Sequence, residues 1–241
     1  MPILNATETQ APLNAFDGKR KAWSIYNQMI RDIGAVGHVF LTLWCCPVAY
    51  YYDAPIKRTL KMKAFAIEHS KIAYFADSAV YLAAILLLSI FLIRLAPPQA
   101  ETETAISVVA GLLGWSLIEY AMHRLVFHGI QPFQRLHQEH HRRPQALIAT
   151  PTVLSVILIV VFVWLPATPL VGFWSGCGVT LGVTTGYFAY GVIHHAVHHW
   201  RSRSAWMRQR KRLHAIHHRF PYCNYGVTMS LWDYLFHSGK Q

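Results

Sequence analysis

Four apolar runs, residues 73–95, 105–127, 150–165 and 169–193, approach membrane length, and each successive pair is followed by clustered histidines. A helix crossing the hydrocarbon core needs about 20 mostly apolar residues. Runs of this kind commit the chain to a helical membrane protein. Spanning strands are excluded because the runs are long and lack period-2 alternation. Composition agrees: 54% of the 241 residues are hydrophobic and only 14% are charged.

Each pair of runs reads as a hairpin, the first turning in APPQAETET (96–104) and the second around Pro166. The basic clusters at Lys19–Lys21, Lys57–Lys63, Arg142–Arg143 and Arg201–Arg212, and every histidine cluster, then share the opposite side. The positive-inside bias makes that side the cytosol. The same bias accounts for the formal charge of +11. Nucleic acid is excluded as a partner, since no basic and aromatic residues interleave as in a single-strand groove. Four cysteines without CxxC spacing argue against a disulfide framework. Residues 33–52, interrupted by Gly37, His38 and Pro47, read equally as a span, a half-inserted segment or an interfacial helix.

Most of the fifteen histidines fall in four clusters: His123/His128, His137/His140/His141, His194/His195/His198/His199 and His214/His217/His218. HQEHH and HAIHH repeat the spacing i, i+3, i+4, which places three imidazoles on one helical face, able to converge on one point. His123 and His128, five apart, either serve two metals or sit where a helix ends. Imidazole is a common nitrogen ligand of Zn, Fe and Cu. About ten such side chains exceed the roughly four to six positions of one ion, so the economical reading is two metals. Isolated His38, His69 and His237 are read as structural.

The motifs EYAMHRLVFH (119–128), HQEHH (137–141), GYFAYGVIHHAVHH (186–199), HAIHH (214–218) and YGVTMSLWDYLF (225–236) together resemble the fatty acid hydroxylase superfamily, the sterol desaturase and fatty acid 2-hydroxylase group. The resemblance covers nearly the whole second half of the chain. It implies ten metal ligands: His123, His128, His137, His140, His141, His194, His198, His214, His217 and His218. It leaves Glu119, Tyr190, His195, His199, Asn224 and Asp233 as candidates to orient those imidazoles or meet substrate. Two features depart from the eukaryotic 2-hydroxylases, Gly191 where they carry an aspartate and a shorter stretch between His128 and His137.

The fold expected is an all-α integral membrane protein, with about four transmembrane helices in two hairpins beneath a cytosolic helical cap rich in histidine. Its divisions are a flexible polar tail (1–30), a membrane-associated or interfacial segment (31–72) and a hydroxylase-like catalytic domain (73–241). The resemblance implies two irons activating O2 to hydroxylate a lipid acyl chain at C2, with zinc able to occupy the site on purification. It implies a membrane lipid as substrate and a separate electron-transfer protein, and it leaves the oligomeric state open. The small size and the ending HSGKQ favour a bacterial inner membrane over the endoplasmic reticulum. Sterols, carotenoids, long-chain bases and amino-acid lipids are the alternative substrates, and desaturation the alternative outcome. A histidine-rich metal transporter is disfavoured because only two carboxylates, Asp77 and Glu119, interrupt the runs. A zinc hydrolase would need HExxH, which is absent.

Overall fold

The computed structural model describes residues 68–240, so the tail and nearly all of the 31–72 segment lie outside the described residues. Among the described residues the chain is helical throughout, with one isolated bridge between Glu68 and Ile148. Helix α1 (Lys71–Leu95) begins where Ser70 Oγ accepts the Ala73 N–H at 3.2 Å. It stops before Pro97 and Pro98, which cannot extend a helix without loss of backbone bonds. A 3-10 turn (Pro98–Ala100) leads into α2 (Glu101–Ala121), whose Glu101 and Glu103 sit at the positive end of its dipole. The rod continues as a π-helical turn (Met122–Phe127) and is followed by the short α3 (Phe133–Arg142).

The next rod is α4 (Thr152–Ile159), a π-helical turn (Val160–Trp164) and α5 (Leu165–Val171) in unbroken succession. The hairpin expected around Pro166 therefore turns elsewhere. Pro166 lies inside this rod, directly after the π turn, an irregular stretch in which a helix can accommodate a proline. The reversal comes at Gly172, whose φ of +85° is open to glycine and strained for other residues. Helix α6 (Phe173–His199) then runs 27 residues, carrying the histidines at its end within the same helix. Helices α7 (Ala205–Arg219) and the five-residue α8 (Leu231–Leu235) complete the chain.

Three rods, Lys71–Leu95, Pro98–Phe127 and Thr152–Val171, are long and apolar enough to cross a membrane. Their side chains point outward: Leu87, Ile93, Val153, Phe162 and Leu170 are 68–80% exposed, a surface suited to hydrocarbon. The fourth expected span, α6, is the helix on which the others pack, and glycine and threonine replace the bulky aliphatics there. Its glycines recur every four residues at 178, 182 and 186, giving α2 close access to its backbone. A Cβ at Gly182 would lie 2.1 Å from the Val108 carbonyl oxygen and 2.6 Å from Leu112 N. Gly182→Val therefore forces two helix backbones apart and is expected to cost about 3 kcal/mol or more. Gly191→Ala, in the same helix with open space around its Cβ, is the harmless control. Melting of the two variants in detergent checks the difference.

Candidate metal centre

The helix ends bring nine imidazoles into two groups. His123, His128, His137, His141 and His217 form one, and His140, His198, His214 and His218 the other, all ligand atoms within a group lying within 4.8 Å of one another. The π turn explains the first pair. Its wider winding brings residues five apart onto one side, so His123 and His128 join the same group at the end of the α2 rod. The two HxxHH motifs do not converge on one point. In each, the i, i+4 pair, His137/His141 on α3 and His214/His218 on α7, enters one group. The intervening i+3 residue, His140 or His217, is turned about 60° the other way and enters the neighbouring group. Both helices therefore straddle the two groups, which abut where the His141 and His218 rings stack at 4.3 Å.

Within each group the nitrogens crowd one another. His123 Nε2 lies 2.9 Å from His137 Nε2, His141 Nε2 3.0 Å from His137 Nε2, and His128 Nε2 3.2 Å from His217 Nε2. In the second group His214 Nε2 is 2.8 Å from His198 Nε2 and 3.0 Å from His218 Nε2. Nitrogens held about 2.1 Å from one ion at right angles to each other lie about 3 Å apart, so the spacing suits a shared cation. Proton assignment agrees. The Nδ1 atoms of His123 and His217 face the carbonyls of Tyr225 (2.5 Å) and Cys223 (2.7 Å). A carbonyl only accepts, so each Nδ1 carries the proton and each Nε2 presents a lone pair to the group. His140 Nε2 is buried with no hydrogen-bond partner among the described residues, the state of an atom meant to meet a cation.

The loop bearing those two carbonyls is held by buried carboxylates. Glu119, at the end of α2, accepts from Val227 N (2.8 Å) and Thr228 N (2.9 Å) on Oε1 and from Thr228 Oγ1 (2.5 Å) on Oε2. Asp233, in α8, accepts from Tyr225 N (2.9 Å) and Ser238 Oγ (2.8 Å) on Oδ1 and from Gly226 N (2.8 Å) on Oδ2. Asn224, left-handed at φ 55°, bonds the Lys240 backbone through both side-chain atoms. Glu119, Asn224 and Asp233, expected to meet the imidazoles directly, instead hold the loop, and backbone carbonyls reach the far nitrogens. Carbonyls leave no residue-type signal, which is why sequence reasoning missed Cys223 and Tyr225. Tyr190 stacks on His194 with its ring centroid at 5.5 Å and the planes 6° apart. His194 itself lies beside the second group, its ring 4.7 Å from His140 and 5.0 Å from His198 and His214. His195 and His199 stack on each other at 4.3 Å outside both groups, His195 packing on Tyr74 and Phe75.

Burial, reinforced by neighbouring imidazoles, keeps the rings neutral. It lowers His128 and His198 to about 3, His140 to about 2 and His218 to about 4, and takes His137, His214 and His217 well below the usual histidine range. An unfolded chain binds protons at these histidines below pH about 6.5, whereas the fold refuses them down to about pH 4 and lower. Stability of the metal-free fold is therefore complete above pH 6.5 and lost as pH falls, by about 1.4 kcal/mol per pH unit for each histidine involved. Melting temperatures flat from pH 8 to 5 would contradict this.

Residues 108–238, more than half of the chain, match the family model for fatty acid hydroxylase. The chain belongs to the fatty acid hydroxylase family. Among curated relatives of this fatty acid hydroxylase chain is the dihydroceramide fatty acyl 2-hydroxylase FAH2 of Arabidopsis thaliana. It is 32% identical over an alignment of 148 positions that covers 56% of this chain and 60% of that protein. The ceramide very long chain fatty acid hydroxylase SCS7 of Saccharomyces cerevisiae is 34% identical over 140 residues, 52% of this chain and 36% of the relative. The fatty acid 2-hydroxylase of Mus musculus is 27% identical over 148 residues, 54% of this chain and 38% of the relative. The chain thus spans less than two thirds of the length of these relatives. The solved structure of full-length scs7p, in which only the hydroxylase domain is visible, has the same fold. The TM-score is 0.62 at 24% identity, covering 70% of this chain and 67% of that one.

Proposed function

We propose that the chain is a membrane di-iron oxygenase that hydroxylates a lipid acyl chain at the carbon next to the carbonyl. Its co-substrate is O2 and its reductant a separate electron-transfer protein. The observation that carries this reading is the pair of abutting all-nitrogen groups at the ends of apolar helices, in a chain of the fatty acid hydroxylase family. The ligands are the nine grouped histidines, with His194 as the tenth at the edge of the second group. Two irons so held supply activation of O2 for insertion of one oxygen atom into a C–H bond, two electrons and two protons reducing the other to water.

The protein's own residues do the rest. Neutral imidazoles offer lone pairs without anionic charge, and their burial keeps bulk water from the reacting carbon. The carbonyls of Tyr225 and Cys223 fix two rings in the ligating tautomer. An apolar cavity of about 420 Å³ between α1, α4 and α6, lined by Tyr81, Leu88, Phe91, Val156, Ile159 and Leu181, suits an acyl tail. The exposed Arg142 beside the centre, on the cytosolic side of a bacterial inner membrane, holds a polar or anionic head group at the surface. The names of the relatives, which act on fatty acyl chains of dihydroceramide and ceramide, support the same substrate class.

Mass spectrometry of total lipids from cells with and without the protein tests the reading. An acyl chain gaining one oxygen at C2 is the expected result. Loss of two hydrogens would make the protein a desaturase. No product from iron-loaded protein supplied with lipid and reductant would overturn the proposal.

A further inference from the structure

Arg210 is a cation buried where the proposed chemistry does not use it. It is 5% exposed, its Nη2 donates to Ser230 Oγ at 2.6 Å, and its Nε and Nη1 are buried with no hydrogen-bond partner among the described residues. Glu119 and Asp233, each 2% exposed, are the acceptors that hold the N–H groups of the 225–228 loop. Burial weakens the hold of Arg210 on its proton, and the fields of Asp233 and Glu119 oppose that effect. From Ser230 the path continues along the chain of α8 and not through a further side-chain bond. Ser230 is the cap position of α8, and Asp233 in its first turn accepts the Tyr225 and Gly226 N–H groups. The Tyr225 carbonyl then accepts from His123 Nδ1.

We infer that Arg210 is a positioning residue for the first histidine group, acting through Ser230, Asp233 on α8 and the 223–228 loop. The direction runs against sequence proximity. Arg210 lies one helical turn before His214, a member of the second group, so a merely local disturbance of α7 would strike the second group first. The Arg210–Ser230 bond pins the start of α8 and with it Asp233, whose carboxylate accepts the Tyr225 and Gly226 N–H groups. The loop N–H groups then stay bonded, and the Tyr225 and Cys223 carbonyls stay aimed at His123 and His217.

Hydrogen exchange of the metal-free full chain, read peptide by peptide, tests this without reference to metal. Arg210→Met is expected to speed exchange at Tyr225, Gly226, Val227 and Thr228 about tenfold, while the His214–His218 amides stay within about twofold. Arg210→Lys is expected to restore most of the protection. A protected loop in Arg210→Met, equal acceleration along α7, or no rescue by lysine would each overturn the inference. Should Arg210→Met fail to accumulate, Ser230→Ala, which removes only the bonded acceptor, is expected to loosen the same four amides, and an unchanged loop would again overturn it. A second arm rests on the two-metal reading. With the second group disabled by His198→Ala, Arg210→Met is expected to weaken metal binding about tenfold. With the first disabled by His137→Ala, it is expected to change binding less than about twofold. The reverse pattern would overturn the role of Arg210, whereas absence of metal from both backgrounds and the parent would overturn the metal reading and leave the exchange result to decide.

Discussion

Replacing His217 by alanine is expected to empty the first metal position and reduce hydroxylated lipid to background. His217 is fully buried, its Nδ1 is spent on the Cys223 carbonyl, and its Nε2 lies 3.2 Å from His128 Nε2, with the rings of His123 and His141 at 4.4 and 4.8 Å. No other side chain can take that position, because α7 turns His214 and His218 towards the second group. Loss of residues that merely orient metal ligands costs about 10–100-fold, so loss of a ligand at a two-metal centre should cost more than about a hundredfold in product. Thermal stability separates this from misfolding. Without metal, His217→Ala loses a buried ring and its bond to the Cys223 carbonyl and should melt a few degrees below the parent. With metal, the rise in melting temperature that comes from binding only the folded state should shrink. His195→Ala and His199→Ala, which change neighbours in the same sequence cluster as His194 and His198, should keep full metal content. Elemental analysis of the three variants checks the contrast. Full metal content and undiminished product in His217→Ala would refute the assignment.

The comparison of expectation and structure follows a physical line. Apolar length is a local property, so the rods at 71–95, 98–127 and 152–171 are legible in outline, the second starting seven residues before its apolar run and the third ending six after it. The turn is not. Pro166 looks like a breaker but lies within a continuous rod beside a π turn, and Gly172 is an unremarked glycine until its φ is known. Gly178, Gly182 and Gly186 did leave a readable signal in their four-residue recurrence, but only the Val108 backbone opposite gives it meaning. The histidine clusters were legible as chemistry, yet their partition was not. Spacing i, i+3, i+4 defines a face, and whether that face meets one point or two depends on what lies across it. Here His128 and His123 from one rod and His198 from another divide it. The resemblance offers Glu119 and Asp233 as candidates to orient the ligating imidazoles. Their partners are backbone N–H groups of a distant loop, and sequence carries no record of those.

Glu119→Ala is expected to produce the largest loss of stability among the residues that touch no proposed ligand. The side chain is 2% exposed and accepts three bonds from Val227 and Thr228, more than 100 residues away in sequence. Alanine leaves two backbone N–H groups and a hydroxyl buried without their acceptor. At about 1–3 kcal/mol for each orphaned donor, the cost is about 3 kcal/mol or more. The effect reaches the metal because the loop is short. Freeing Val227 and Thr228 loosens Tyr225, whose carbonyl fixes the His123 tautomer, and Gly226 admits little readjustment, since a Cβ there would already lie 2.0 Å from the Met229 carbonyl oxygen. Metal affinity at the first group should fall about 10–100-fold, with the second group less affected. Glu119→Gln separates shape from charge. Its amide oxygen can still accept the two N–H groups while its NH2 donates to Thr228 Oγ1, so the bonds survive and only the charge is lost. A glutamine variant with near-parental stability but weakened metal binding would show that the negative charge, and not the bonding pattern alone, acts on the first group. Equal stability of the alanine variant and the parent would mean that the loop holds its shape without Glu119.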